Sequence, residues 1–348
     1  MFQFANAQTA ADTIHRLKKV RVLGFPVVSY TPETRTGYGV AGVAIFRLGK
    51  NVLQTKPSQV SLGLGYTQNK QQLYYIPFTL YTNKNQYYIY GEAGYYKYNY
   101  YFYGIGTNEI PRELYGVNYP RIKLTGLKQL TPNFYAGLRY QYENYQMTET
   151  VSGGELSQGI IPGSSGSVSS GAGVVAMIDK RDSILYTTKG YWMELTGVAN
   201  TKSLGSTNNF QQYSYDVTAF KKIYTNVVWA NELFTKVVVG NAPFNQYAIL
   251  GGNKKLRGFY EGRYRDKHAL IIQTEFRGLL YKRFGAAVFG AAGFIGGDNE
   301  YVRFNEPKIA YGAGLRYIVN KNDHLNLRID YAIGNGKGNF YATFGEAF

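Results

Sequence analysis

Apolar and polar residues trade places at every second position along most of this chain, and a period of two is the signature of strands. In Val60-Ser61-Leu62-Gly63-Leu64-Gly65-Tyr66 one face carries Val, Leu, Leu and Tyr, and the other Ser and Gly. In Leu325-Asn326-Leu327-Arg328-Ile329-Asp330-Tyr331-Ala332-Ile333 a wholly apolar face opposes one bearing Asn, Arg and Asp. Phe134, Ala136, Leu138, Tyr140 and Tyr142 alternate with Gly137, Arg139, Gln141 and Glu143, and Leu270, Ile272 and Phe276 with Gln273, Glu275 and Arg277. A helical period is confined to a short piece at Ala10 to Lys19. Turn signals cut the chain into sixteen predicted strands, near 20–30, 36–48, 58–69, 72–82, 86–100, 118–129, 132–148, 169–180, 189–202, 210–223, 226–240, 268–278, 282–295, 308–319, 323–334 and 338–348.

Connector lengths show which way such a sheet closes. The short segments 83–85, 130–131, 224–225, 279–281 and 320–322 all follow even strands, and the longest, 101–117, 149–168 and 241–267, all follow odd ones. An up-and-down barrel in a membrane has this asymmetry, with short turns at one rim and long loops at the other. The segments 70–71 and 49–57 depart from it. Sixteen strands enclose a lumen too wide for side chains to fill, so the polar face must line it and the apolar face must meet lipid. A closed sheet also satisfies every backbone group, as hydrocarbon demands. No apolar run approaches the roughly 18–20 residues of a membrane helix; the longest, Ala286 to Ile295, is Gly- and Ala-rich. The expected fold is all-β, a transmembrane antiparallel barrel over 20–348 behind a short segment, 1–19. The Tyr95-Tyr96, Tyr98, Tyr100-Tyr101 and Tyr103 cluster is expected at a strand end, in an aromatic girdle.

Composition narrows the chemistry. The chain has 16% aromatic and 17% charged residues, which excludes a disordered chain, a coiled coil or a collagen-like fibre. Zero Cys removes disulfides and thiolate metal sites. His15, His268 and His324 are dispersed, so no metal site is expected. Gly37-Tyr38-Gly39-Val40-Ala41-Gly42 fits a dinucleotide fingerprint but lacks the helix that such a site requires. Gly163-Ser164-Ser165-Gly166 is not a nucleophile elbow. No catalytic residue and no cofactor are expected. The formal charge of +16 favours phosphate-bearing partners, yet Lys and Arg are spread rather than gathered in the stripe that nucleic acid needs. Lipid headgroups are the expected partner, and Arg16-Leu17-Lys18-Lys19-Val20-Arg21 suits a rim. The Ala5-Asn6-Ala7 triplet looks like the tail of a secretory signal.

The 241–267 loop carries Leu256-Arg257-Gly258-Phe259-Tyr260 just ahead of strand twelve. This resembles the V/L-R-G-F/Y signature of the BamA/TamA-like outer-membrane insertase superfamily, whose corresponding loop folds back into the lumen. Asp179-Lys180-Arg181-Asp182 with Gly190-Tyr191 looks like that family's D-x-R-D…G-Y/F segment. Gly312-Ala313-Gly314-Leu315-Arg316-Tyr317 and Leu327-Arg328-Ile329-Asp330-Tyr331 look like its last strands, and Phe348 like its C-terminal aromatic signal. Two departures stand out: Ala291 replaces the Asp of the family's F-x-D-x-G, and only about twenty residues precede the first strand, too few for periplasmic repeats. The resemblance thus implies a barrel-only member, or one shortened ahead of its barrel, in the bacterial outer membrane. It also implies outer-membrane protein insertion, assembly or translocation, with outer-membrane lipids, lipopolysaccharide and nascent outer-membrane proteins as partners. The alternative is a passive pore partly blocked by the loop.

Two arrangements are expected. Gln273, Glu275 and Arg277 point inward from strand twelve, so Arg257 on the returning loop pairs with Glu275. The resemblance points to the same partner; with Ala291 in place of the Asp, Glu275 should carry most of the interaction. The second is a weak seam between the first and last strands, where Pro26 removes a donor. Gly334, Gly336 and Gly338 loosen the approach to the last strand, which ends at Phe348.

Overall fold

The computed structural model describes residues 20–49, 53–107, 110–184, 186–320 and 325–348; the 1–19 segment and Asn108, a position suited to labelling the 101–117 loop, lie outside them. Sixteen antiparallel strands close into one barrel. They are β1 (Arg21–Thr31), β2 (Arg35–Phe46), β3 (Ser58–Thr67), β4 (Gln72–Thr82), β5 (Tyr87–Phe102), β6 (Glu113–Thr131), β7 (Phe134–Glu149) and β8 (Ser167–Asp179). The second half comprises β9 (Gly190–Asn200), β10 (Phe210–Tyr224), β11 (Val227–Gly240), β12 (His268–Tyr281), β13 (Phe284–Gly296), β14 (Lys308–Asn320), β15 (Leu325–Gly334) and β16 (Lys337–Phe344). Each expected strand has its counterpart. The main shift is that β5 and β6 run further into the long-loop rim than the alternation suggested, because their extra residues pair with each other from Asn99–Gly116 to Phe102–Glu113.

The alternation resolves into an outside and an inside. Leu62, Leu64, Leu138, Tyr140, Val174, Ile272, Phe276, Leu315 and Tyr331 are exposed on the outer face. So wide an apolar band is unfavourable in water and suits hydrocarbon. Gln273, Glu275, Arg277, Arg316, Arg328 and Asp330, on the opposite register, are buried within the lumen.

The lumen is not uniformly polar, and here the tyrosine expectation needs correction. Tyr95 lies on the outer face, but Tyr96 is buried inside and stacks on Tyr119 with ring centres 5.0 Å apart. Tyr98 and Tyr100 stack as a second pair. With Phe102, Tyr115 and Tyr145 they surround Phe244 from the 241–267 loop. A run of consecutive tyrosines on a strand necessarily feeds both faces, and the inner half of this one finds apolar partners because the loop folds in.

Candidate functional site

Loop 241–267 enters the lumen as a compact body. A short ladder pairs Ala248–Leu250 with Tyr264–Asp266, and Gly106 of the β5–β6 loop donates its N–H to Arg265 O at 2.8 Å. Leu250, Leu256, Phe259 and Tyr264 pack on Ala269 and Ile271 of β12, Ile295 of β13 and Ala310 of β14. This apolar contact seats the loop against one wall, and the tip then reaches deeper, into the charged zone.

Arg257 is aimed by its neighbours. Leu256 and Gly258 on either side hold positive φ, +56° and +115°, which reverses the chain tightly. Gly258 is also needed for space, since a methyl group there would lie 2.9 Å from the Ile333 carbonyl carbon. The Arg257 guanidinium, 1% exposed, places Nη2 2.7 Å from Glu275 Oε2 and Nη1 2.6 Å from Asp330 Oδ2. It also lies over the Phe289 ring, 3.5 Å from the centroid.

The division of labour differs from the sequence expectation in one respect. Glu275 does not carry the interaction mostly by itself, because Asp330 on β15 supplies a second carboxylate. Ala291 packs against the apolar cluster of the loop and wall. Between Glu275 and Asp330 the β14 wall is thinned: a methyl group at Gly312 would meet the Phe289 ring at 2.6 Å, and one at Gly314 would meet Asp330 Oδ1 at 2.0 Å. The glycines of the Gly312-x-Gly314 motif therefore make room for the lock.

Further charges extend it. Arg316 Nη1 binds Asp330 Oδ1 at 2.6 Å, and its Nε binds Glu346 at 2.9 Å. Arg328 lies 3.5 Å from Asp330, and Arg277 3.7 Å from Glu275. Four guanidinium groups thus share three carboxylates, so every carboxylate has more than one cation to serve. The sequence reading missed Asp330 as a partner of Arg257. Its inward register was visible in the alternation, but its nearness to strand twelve depends on the barrel's curvature.

The seam is short. Among the described residues a single register pair, Tyr30 with Ala342, joins β1 to β16, whereas the next shortest ladder of the barrel, β3 with β4, has six. Aromatic contacts, Phe25 with Phe344 and Tyr30 with Phe340, support it. Pro26 pairs in register with Val40 of β2. The three glycines belong to the β15–β16 hairpin and have local reasons. Gly336 follows Asn335 in a two-residue turn with both φ values positive. A methyl group at Gly338 would strike the Tyr331 hydroxyl, and one at Gly334 would lie 2.7 Å from the Phe259 ring. Of these, only Gly334 meets the loop motif. Phe348 is not at the seam: the chain leaves β16 after Phe344 and crosses the lumen, where Phe348 packs on Phe220, Val228 and Ala230 and its O accepts from Arg277 Nη1 at 3.0 Å.

The loop touches both sides of the seam. Gly258 N–H donates to Tyr341 Oη at 3.0 Å, and Asn339 Nδ2 donates to Gly258 O at 2.6 Å, both on β16. Three residues on, Glu261 N–H donates to Glu33 Oε1 at 2.7 Å, in the β1–β2 turn. Glu33 is 4% exposed. Burial pushes its carboxyl above the usual range; the Glu261 side chain stays open to the lumen, where enclosure by the surrounding protein and the facing Glu33 charge raise its carboxyl to about 7.

These features define a class: closed sixteen-stranded barrels whose lumen holds an inward loop pinned by an arginine. No protein-family model matches the chain, and no curated protein matches it. Solved structures do. BamA from Haemophilus ducreyi lacking POTRA domains 1-3 is similar over 97% of this chain and 78% of that one, with TM-score 0.62 and 14% identity. CdiB from Acinetobacter baumannii gives TM-score 0.62 and 12% identity over 95% of this chain, which spans 60% of that protein's length. CdiB from Escherichia coli gives 0.59 and 11% over 95% of this chain and 68% of that one. At these identities what is shared is the fold.

Proposed function

We propose that this protein is a barrel of the bacterial outer membrane that acts in outer-membrane protein insertion, assembly or translocation through its β1–β16 seam. Outer-membrane lipids, lipopolysaccharide and nascent outer-membrane proteins are its partners in this reading. The observation that carries it is the one-pair seam clasped from inside by residues 257–261. An edge that exposes unpaired backbone groups is a template for an incoming strand. A ladder of one pair opens at small cost, and the loop sets that cost by holding β16 through Gly258 and the β1–β2 turn through Glu261. The fold shared with BamA and CdiB supports the same reading.

The test is a locked seam. The chain has no Cys, so Tyr30→Cys with Ala342→Cys introduces a single disulfide. In liposomes the oxidised barrel should lose folding of a test outer-membrane protein, and reduction should restore it. Unchanged activity in the oxidised barrel removes the gate. A large steady conductance, unaltered by the lock, would favour a passive pore instead.

A further inference from the structure

Opposite the lock, the lumen keeps a cavity of about 520 Å³. Its walls come from β6 through β11, and its floor from the 241–267 loop. Six cationic side chains line it: Arg121, Lys123, Arg139, Lys236, Lys254 and Lys255. Three are already neutralised. Arg121 pairs with Glu143 at 2.6 Å, Arg139 with Glu194 at 3.0 Å, and Lys255 with Asp216 and Glu232 at 2.8 and 2.6 Å. Glu143 is saturated, since Asn245 Nδ2 and Gln246 Nε2 also donate to it.

Lys123, Lys236 and Lys254 have no carboxylate within ion-pair distance among the described residues. They come from three separate elements, β6, β11 and the loop, and meet at one cavity. Lys236 Nζ is held by the carbonyl oxygens of Gln246 and Tyr247 at 2.9 and 3.3 Å, which fixes its position. Ser169, 2% exposed, lines the same cavity, and its Oγ has no hydrogen-bond partner. A buried hydroxyl without a partner is costly, and water or a ligand acceptor is the usual remedy. Glu261 also faces the cavity. Its side chain is exposed there, so its carboxylate offsets part of the excess.

We infer that this cavity is a binding site for a compact, multiply charged anion of the phosphate class. Three ammonium groups and one hydroxyl supply donors from several directions, which suits a tetrahedral oxyanion better than chloride. Phosphate chemistry has two sources, a soluble phosphate or phosphate ester and a lipid headgroup. The barrel wall stands between the cavity and the bilayer, so the soluble source is the one assigned.

The test is titration of the detergent-solubilised full chain with inorganic phosphate at constant ionic strength. One saturable site is expected, with sulfate competing and chloride inert. Lys123→Gln and Lys254→Gln should each weaken phosphate binding about tenfold, and Ser169→Ala about threefold. Lys189→Gln, at the opposite rim, should leave it unchanged. Lys254 is an exposed loop residue, so its variant tests the site without endangering the fold. A second arm replaces phosphate by short-chain phosphatidic acid, with the seam open or locked. Binding of phosphate in the locked barrel supports the lumenal site. Binding of phosphatidic acid alone, abolished by the lock, overturns it in favour of a headgroup entering through the wall. An acidic peptide that binds while phosphate neither binds nor competes also overturns it. So do lysine variants that bind phosphate as the parent does.

Discussion

The two walls of the lumen handle charge in opposite ways. On the β12–β16 side, Arg257, Glu275, Asp330 and Arg328 are at most 1% exposed, and each cation is held between carboxylates or carbonyls. On the β6–β11 side, Lys123 lies open to the cavity, and the ion pairs there are partly solvated. The cause is the loop. Where it lies, water is expelled, and charges must pair or pay a desolvation cost of several kcal/mol. Where the loop only floors the open cavity, water screens them, and excess charge is tolerated.

That contrast can be broken most sharply at Asp330. Asp330→Asn leaves Arg257 and Arg316 each short of a carboxylate in a dry site and should cost about 3–5 kcal/mol. The lowered temperature at which the barrel loses its compact, heat-modifiable gel mobility would register it; an unchanged temperature would mean the wall is wetter than its burial indicates. Arg257→Ala and Glu275→Gln come next. Asp330 still holds the guanidinium in the Glu275 variant, so that change should cost about 1–3 kcal/mol of loop anchoring and expose the loop to protease less than Arg257→Ala does. The double variant should exceed Arg257→Ala only slightly, and additive effects would mean the pair is not coupled. On the open side, Lys123→Gln should change stability by less than about 0.5 kcal/mol. A larger loss would show that the cavity wall is structural.

Acidity probes the clasp across the seam. Burial raises the Glu33 carboxyl, and enclosure within the lumen with the facing Glu33 charge raises that of Glu261 to about 7. Groups raised in the lodged state favour it below their ordinary value near 4.5, and that contribution is lost as pH climbs through about 7. Arg121 and Arg265 face Glu261 and oppose the rise without cancelling it. Tryptic cleavage within 254–263, normalised to a free peptide, should therefore increase between about pH 6 and pH 8. Glu261→Gln should flatten that profile; a parallel profile in the variant would place the titration elsewhere.

Much of this was legible from local chemistry. A side chain on a strand has only two directions, so the alternation of Gln273, Glu275 and Arg277 with Ile272 and Phe276 already says which residues face inward. The same holds for Arg328 and Asp330, and a loop carrying Arg257 next to β12 was bound to lie near Glu275. The Asn335-Gly336 turn could also have been read from its two residues alone, and doing so would have assigned those glycines to a hairpin rather than a seam.

Other relations are set only by closure. Asp330 reaches Arg257 because β12 and β15 lie on one curved wall, with Gly312 and Gly314 leaving the space between them. Phe348 reaches the β10–β11 wall, and Lys123, Lys236 and Lys254 reach one cavity, across distances in sequence that no pattern encodes. Strand number, inward face and loop position follow from periods of two and from turn chemistry, which act over a few residues. Which inward groups meet follows from the barrel's circumference and from where the loop expels water, and those are properties of the closed sheet as a whole.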